Sequence, residues 1–338
     1  MGVRPFYGGC RLFKFAAVAV CAGFLFSCLP SDAALAGESG RLLSGEPIQP
    51  LSMPTGLDQR KVALGKTLFF DPILSADGSL SCASCHDLTT GGSDHRPRSV
   101  GIKGALGGIR APSVYNSALN FVQFWDGRAP SLEAQVAGPI TNPVEMGSAW
   151  PDVIAKLSAS PTYSADFRAI YAAPPSVQSV MDAIATFERT LITVNSRFDA
   201  YLRGDDTALS ADERKGYELF KSYGCASCHQ GANVGGNMFE KFGFLGDYFA
   251  DRGHLTSADL GRFNVTGREV DRNVFKVPSL RMVGSGGPYF HDGSVQDLQA
   301  AVEIMGRYQL GRELPKGDVQ NLVQFLNSLM GDTYQERP

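Results

Sequence analysis

Cys82-Ala-Ser-Cys85-His86 recurs letter for letter as Cys225-Ala-Ser-Cys228-His229. Cys-x-x-Cys-His is the attachment sequence of a c-type haem: each thiol adds to a vinyl group, and the adjacent imidazole ligates the iron. Two copies predict two covalently bound haem c groups. One is held by Cys82, Cys85 and His86, the other by Cys225, Cys228 and His229. A zinc site would need further thiols or imidazoles at short spacing, which neither copy has. A thioredoxin-like redox pair would sit in a strand–helix unit and lack the histidine that follows directly.

The duplication extends outward from the motifs. Gly65-Lys66-Thr67-Leu68-Phe69 precedes the first and Gly216-Tyr217-Glu218-Leu219-Phe220 the second. Downstream lie Ile184, Phe187 and Leu191 in one half, and Leu322, Phe325 and Leu329 at the same intervals in the other. Each triplet puts an apolar stripe on one helix face. Each half therefore reads as an entry helix, a haem motif, long loops and a closing helix. A glycine in the entry helix lets the closing helix approach closely. Ser210-Ala-Asp-Glu213 reads as a capping box that opens the second entry helix. The Gly- and Pro-rich stretches 101–112 and 261–288 read as loops, without a strong strand alternation. The expected fold is mainly α, with two cytochrome c-like haem domains and long loops. The domains are expected at 37–195 and 196–338, the seam lying between Thr193 and Asp206.

Residues 1–36 read as an export signal. Arg4, Arg11 and Lys14 precede an apolar run to Leu29, and Ala34-Leu35-Ala36 resembles a small-residue cleavage site. Leu25-Phe26-Ser27-Cys28 offers a rival: lipidation of Cys28 would anchor the chain to a membrane. Of the seven cysteines, Cys10, Cys21 and Cys28 lie in this segment, so those beyond it are the four haem thiols. No disulfide framework is left to propose, although an exported compartment would permit one. A formal net charge of −3 and the lack of a basic run argue against nucleic acid as a partner.

Beyond the haem motifs, five segments make a resemblance specific. They are Phe124-Trp-Asp-Gly-Arg128, Gly138-Pro-Ile-Thr-Asn-Pro143 with Glu145-Met146, Asp271-Arg-Asn-Val-Phe-Lys-Val-Pro278, Pro288-Tyr-Phe-His-Asp-Gly293 and Val302-Glu-Ile-Met-Gly306. In this order they resemble the bacterial dihaem cytochrome c peroxidases, over nearly everything from about residue 50 to the C-terminus. The resemblance implies reduction of hydrogen peroxide in the periplasm with electrons from a small cytochrome c or cupredoxin, by a homodimer. The His86 haem would be peroxidatic, with Glu145 as its distal acid–base group. Gln135 matches a neighbouring distal amide, and Phe124 and Pro139 match pocket walls. The His229 haem would be the electron-entry site, with Met305 as its sixth ligand. Thioether ligation raises the potential and closes the iron to peroxide. On residue type alone, Met238 and Met282 are also candidates. Trp125 matches an indole between the two haems, able to shorten an electron path or simply to pack. His291 reads as an interdomain brace.

Two positions depart from the pattern. Many family members carry a histidine in the loop after the first motif that caps the oxidised iron until the other haem is reduced. Ile102 stands there and cannot ligate; His95 is the nearby histidine. The expectation is a peroxidatic haem that is open without reductive activation. The family also holds a Ca²⁺ between the domains, with carbonyl donors that fall here at Gly286 and Pro288. Its asparagine ligand is replaced by Arg110, so either water fills that place or the guanidinium takes over the ion's role. Two alternatives stand beside the peroxidase: a dihaem oxidase that modifies a partner protein, which has tyrosine where Met305 stands, and a non-enzymatic dihaem electron carrier.

Overall fold

The computed structural model describes Gly2 and residues 43–334. Apart from Gly2, the segment read as an export signal, Cys28 included, lies outside the described residues. In the first half the helices are α1 (Gln59–Phe70), α2 (Leu132–Thr141), α3 (Trp150–Ala159), α4 (Pro161–Tyr171) and α5 (Val177–Glu188). The second half holds α6 (Arg197–Leu202), α7 (Ala211–Ser222), α8 (Tyr248–Arg252), α9 (Phe263–Thr266), α10 (Leu298–Ile304) and α11 (Lys316–Ser328).

Each half is organised by one crossed helix pair, α1 on α5 and α7 on α11. The crossing points are glycines. A Cβ placed on Gly65 would lie 1.9 Å from the Ala183 carbonyl oxygen, and one on Gly216 would lie 2.0 Å from that of Asn321. Only a residue without a side chain permits that approach. Helix α7 opens with the expected capping box: Glu213 N–H donates to Ser210 Oγ at 3.2 Å, and Ser210 N–H donates to Glu213 Oε2 at 2.8 Å. Leu64 and Leu68 face Val180, Ala183 and Ile184 in one core, while Tyr217 and Phe220 face Leu322 and Phe325 in the other. The apolar stripes outlast their helices. Leu191 is buried beyond the end of α5, and Leu329 is the C-cap of α11.

The connections hold more regular structure than loops. Helices α2 to α4 lie between the first motif and its closing helix, where Val153, Leu157, Tyr163 and Phe167 are buried at helical spacing. Pro151 and Pro161 sit in the first turns of α3 and α4, where a missing N–H costs nothing. The second half carries a short antiparallel ribbon, β1 (Phe239–Lys241) on β2 (Val274–Lys276). No helix among the described residues is long and apolar enough to cross a membrane.

The two ends of the described chain cross over. Ile48 is buried in the second half's core beside Phe198 and Leu202. Glu46 pairs with Lys221 at 3.1 Å, and the buried Arg281 donates to Gln49 O at 3.0 Å while pairing with Asp199 at 2.8 Å. At the other end, Met330 and Tyr334 pack on the first half's cluster of Phe69, Leu88 and Phe187.

Candidate active site

Each haem motif folds as one 3₁₀ turn, Cys82–Ser84 and Cys225–Ser227. Residues three apart eclipse in such a turn, so the two thiols of each motif face the same way. The next backbone amide closes the turn: His86 N–H donates to Cys82 O at 2.9 Å, and His229 N–H to Cys225 O at 3.0 Å. All four thiols are free. Burial pushes Cys82 up to about 12 and Cys225 up to about 11, the opposite of the lowered pKa that marks a redox thiolate.

The imidazoles are prepared as metal ligands. His86 Nδ1 lies 3.3 Å from Gly92 O, and His229 Nδ1 lies 3.4 Å from Val234 O. A backbone carbonyl at Nδ1 makes that nitrogen the donor and leaves Nε2 to a metal. Burial lowers the pKa of His86 and brings His229 down to about 4, so both rings stay neutral, the ligating form. A cavity of about 550 Å³ adjoins the first motif, lined by Leu80, Ala83, Asp87, Thr90, His95 and Gly101. Eclipsed free thiols, a neutral imidazole with its Nδ1 engaged and adjoining space fit a c-type haem.

Glu145 belongs to the surroundings of the first motif, because its charge acts on the Cys85 thiol. It lies just beyond α2, where Asn142 caps the helix end. Asn142 Nδ2 donates to Glu145 Oε1 at 2.6 Å, and burial raises the Glu145 pKa against that bond. The Ile102 loop is pinned to the same segment. Ile102 N–H donates to Glu145 O at 2.9 Å, and Ile102 is 8% exposed. Its Cδ1 lies where a Cβ on Gly147 would clash, at 2.3 Å. Gln135 sits half-buried on α2, one turn before Gly138, whose missing side chain admits the Phe124 ring. Phe124 holds φ 68° and carries the Arg128 guanidinium 3.5 Å from its ring centroid.

Trp125 ties the two halves together. Its indole N–H donates to Arg110 O at 3.0 Å, and its carbonyl accepts from Lys276 N–H at 2.8 Å. Its ring meets His291 edge-on at 6.3 Å. His291 is buried and bonds Asp259 at 2.7 Å through Nε2, a contact within the second half. Asp259, His291 and Asp292 together have metal-ligand types, but Arg252 pairs with both aspartates. A guanidinium thus does there what a cation would do. Met305 opens a π-helical turn, Met305–Gln309, and packs in an aromatic cluster with Phe242, Phe249, Phe275 and Trp125. His229 borders a different cluster, through Phe220. Met282 is buried beside Phe69 and Leu88 in the first half.

The surroundings of Gly286 and Pro288 do not fit calcium. Arg110 lies near Tyr289, bringing a cation instead of an oxygen donor. The His95 ring lies against Gly286, with Nδ1 2.8 Å from Gly287 O and Nε2 facing Thr90 O. His95 is thus half-buried and engaged at both nitrogens. Sequence reasoning passed over Asn142, Arg252 and Asp259. Asn-Pro at 142–143 was a cap signal for the first, and Thr256-Ser-Ala-Asp259 was a capping-box pattern for Asp259, which accepts from Thr256 N–H at 2.6 Å; Arg252 carries no such signal.

The family described as di-haem cytochrome c peroxidase matches residues 59–207. The chain is 50% identical over 287 residues to cytochrome c peroxidase Ccp of Escherichia coli K12, covering 85% of this chain and 61% of that one. With the cytochrome c551 peroxidase of Nitrosomonas europaea it shares 46% identity over 301 residues, 88% of each chain. A solved MauG-like protein associated with microbial copper homeostasis superposes with a TM-score of 0.73 at 27% identity, over 86% of this chain and 95% of that one. The mainly helical architecture is the dihaem peroxidase fold, which comprises two cytochrome c-like domains, and the family implies two haem c groups. By its sequence and its fold, the chain belongs to the di-haem cytochrome c peroxidase family and is an enzyme of that family.

Proposed function

We propose that the chain reduces hydrogen peroxide to water in the periplasm, with electrons from a small cytochrome c or cupredoxin, and without prior reductive activation. The observation that carries this reading is Glu145: a half-buried carboxyl with a raised pKa, held by Asn142 beside the first motif. The domains of this reading are 37–195, peroxidatic, and 196–338, electron-transferring. Haem bound through Cys82, Cys85 and His86 supplies an iron for peroxide, and haem bound through Cys225, Cys228, His229 and Met305 supplies an electron relay.

Reduction of peroxide consumes two electrons and two protons and yields two waters. Glu145 accepts the proton of one peroxide oxygen and returns it to the other, which departs as water. A raised pKa suits both halves of that task near neutral pH. Asn142 keeps the carboxylate in one orientation, and the Gln135 amide offers a hydrogen bond to peroxide. Trp125, bonded to Arg110 on one side and Lys276 on the other, joins the two halves, and electrons pass by its indole. Ile102 brings no donor atom, and its loop is pinned to the Glu145 segment, so no ligand has to leave before peroxide binds.

Stopped-flow mixing of the oxidised, haem-loaded protein with peroxide tests the reading. A prompt spectral change is expected, with two reduced cytochromes consumed per peroxide. No reaction would identify a carrier. A long-lived oxidised state with little cytochrome turnover would identify a modifying oxidase. Reaction only after partial reduction would remove the role given to Ile102.

A further inference from the structure

The duplication also includes a proline segment in each half. Arg110-Ala-Pro-Ser-Val114 and Lys276-Val-Pro-Ser-Leu280 share the pattern cation–x–Pro–Ser–aliphatic, and the structure builds them alike. Ser113 Oγ donates to Gly91 O at 2.6 Å and accepts from Tyr115 N–H at 3.1 Å. Ser279 Oγ donates to Asn233 O at 2.8 Å and accepts from Arg281 N–H at 3.1 Å. Val114 N–H donates to Gly92 O and Leu280 N–H to Val234 O, the same two carbonyls that face the proximal imidazoles. The prolines also take part: the backbone of Pro112 interacts with His86, and that of Pro278 with His229.

Each segment thus carries a cation two residues before the proline at its own proximal imidazole, and among the described residues neither cation has an ion-pair partner. Lys276 is 6% exposed, and burial pushes its ammonium down to about 8, with no neighbouring charge or hydrogen bond in compensation among the described residues. Arg110 makes no ion pair among the described residues, and its Nε is fully buried without a hydrogen-bond partner. Asp94 and Tyr289 favour its charge from a distance, while burial opposes it. A buried cation without a partner is costly enough that proteins pair it. Two such cations at equivalent places, each beside a site for a dianionic porphyrin, call for the same anion.

We propose that Arg110 and Lys276 are the propionate-binding cations of the two haems, Arg110 serving the His86 motif and Lys276 the His229 motif. This rests on haem attachment at both motifs, which a haem count of two per wild-type chain checks separately. Arg110 also ties to the Trp125 indole through its carbonyl, and Lys276 to the Trp125 carbonyl through its N–H, so the backbones of both residues are joined to Trp125.

Spectroelectrochemical titration of haem-loaded Arg110→Met and Lys276→Met tests the assignment. Removing a nearby cation disfavours the reduced, less positive iron. Each variant is expected to lower the potential of its own haem while leaving the other in place, and Arg110→Lys and Lys276→Arg are expected to restore it. Melting supplies a second reading. Deleting a cation that serves a propionate lowers the melting temperature, whereas replacing an unpaired buried ammonium by Met raises it. Unchanged potentials, or a higher melting temperature in Lys276→Met, would overturn the proposal. If a Met variant fails to load haem, the charge-keeping swap decides: normal loading and potential support the assignment, and equal failure refutes it.

Discussion

The two halves begin from the same five residues and are closed by the same crossed helices, yet they surround their motifs with different chemistry. Beside the first stand a carboxyl, its amide partner and a loop whose tip is an isoleucine. The second half offers a thioether set among Phe242, Phe249 and Phe275. Their closing helices differ as well: Phe187 is followed by the buried Glu188, whereas its counterpart Phe325 is followed by Leu326. Attachment is therefore generic in this chain, and what distinguishes the halves is which polar groups are buried near each motif. Polarity and access around a haem decide between activation of an oxidant and electron transfer.

That contrast can be broken from the first half. Glu145→Gln is expected to cut peroxide turnover by roughly 10²- to 10⁴-fold with both haems attached, whereas Glu303→Gln, exposed on α10 of the second half, leaves the rate unchanged. Steady-state assays with reduced cytochrome c decide, and equal rates for the two variants would remove Glu145 from the chemistry. Ile102→His gives the loop a ligand. The oxidised variant is expected to show a low-spin spectrum and to need pre-reduction before it reacts; wild-type behaviour would mean that the pinned loop cannot reach the iron.

The Glu188 carboxyl, raised to about 8 by burial, has no counterpart at Leu326 and makes the first half the source of a pH response. It stays protonated in the fold over a range where the unfolded chain has ionised. Stability is therefore expected to fall as pH rises from about 4.5 to about 8, by on the order of a few kcal/mol. Denaturant titrations across that range check this, and Glu188→Leu should flatten the slope. The smallest effect addresses what the halves share. Gly65→Ala and Gly216→Ala should each cost about 1–3 kcal/mol, because both force a helix pair apart. A large disparity between the two would show that the crossings are not equivalent.

Much of this was legible in the chain. The motifs, the glycine crossings and the Ser210 box depend on contacts a few residues apart, or on a pattern that occurs twice. Helices α3 and α4 were missed although Val153, Leu157, Tyr163 and Phe167 carry a helical period, because the Gly- and Pro-rich stretches around them read as continuous loop. The positive φ at Phe124 and the π-turn at Met305 had no local signal, since tertiary packing imposes them. Arg110 was legible as a departure from a pattern, but its tie to Lys276 emerged only when both prolines were found at the proximal imidazoles.

The crossed ends carry a mechanical consequence. Ile48 completes the core of the second half, while Met330 and Tyr334 cover that of the first. Cutting the chain at the middle would therefore strip each piece of a strap that the other supplies. Opening either core also releases the tether of its neighbour, so the pair is expected to behave as one cooperative unit, with a single transition on melting.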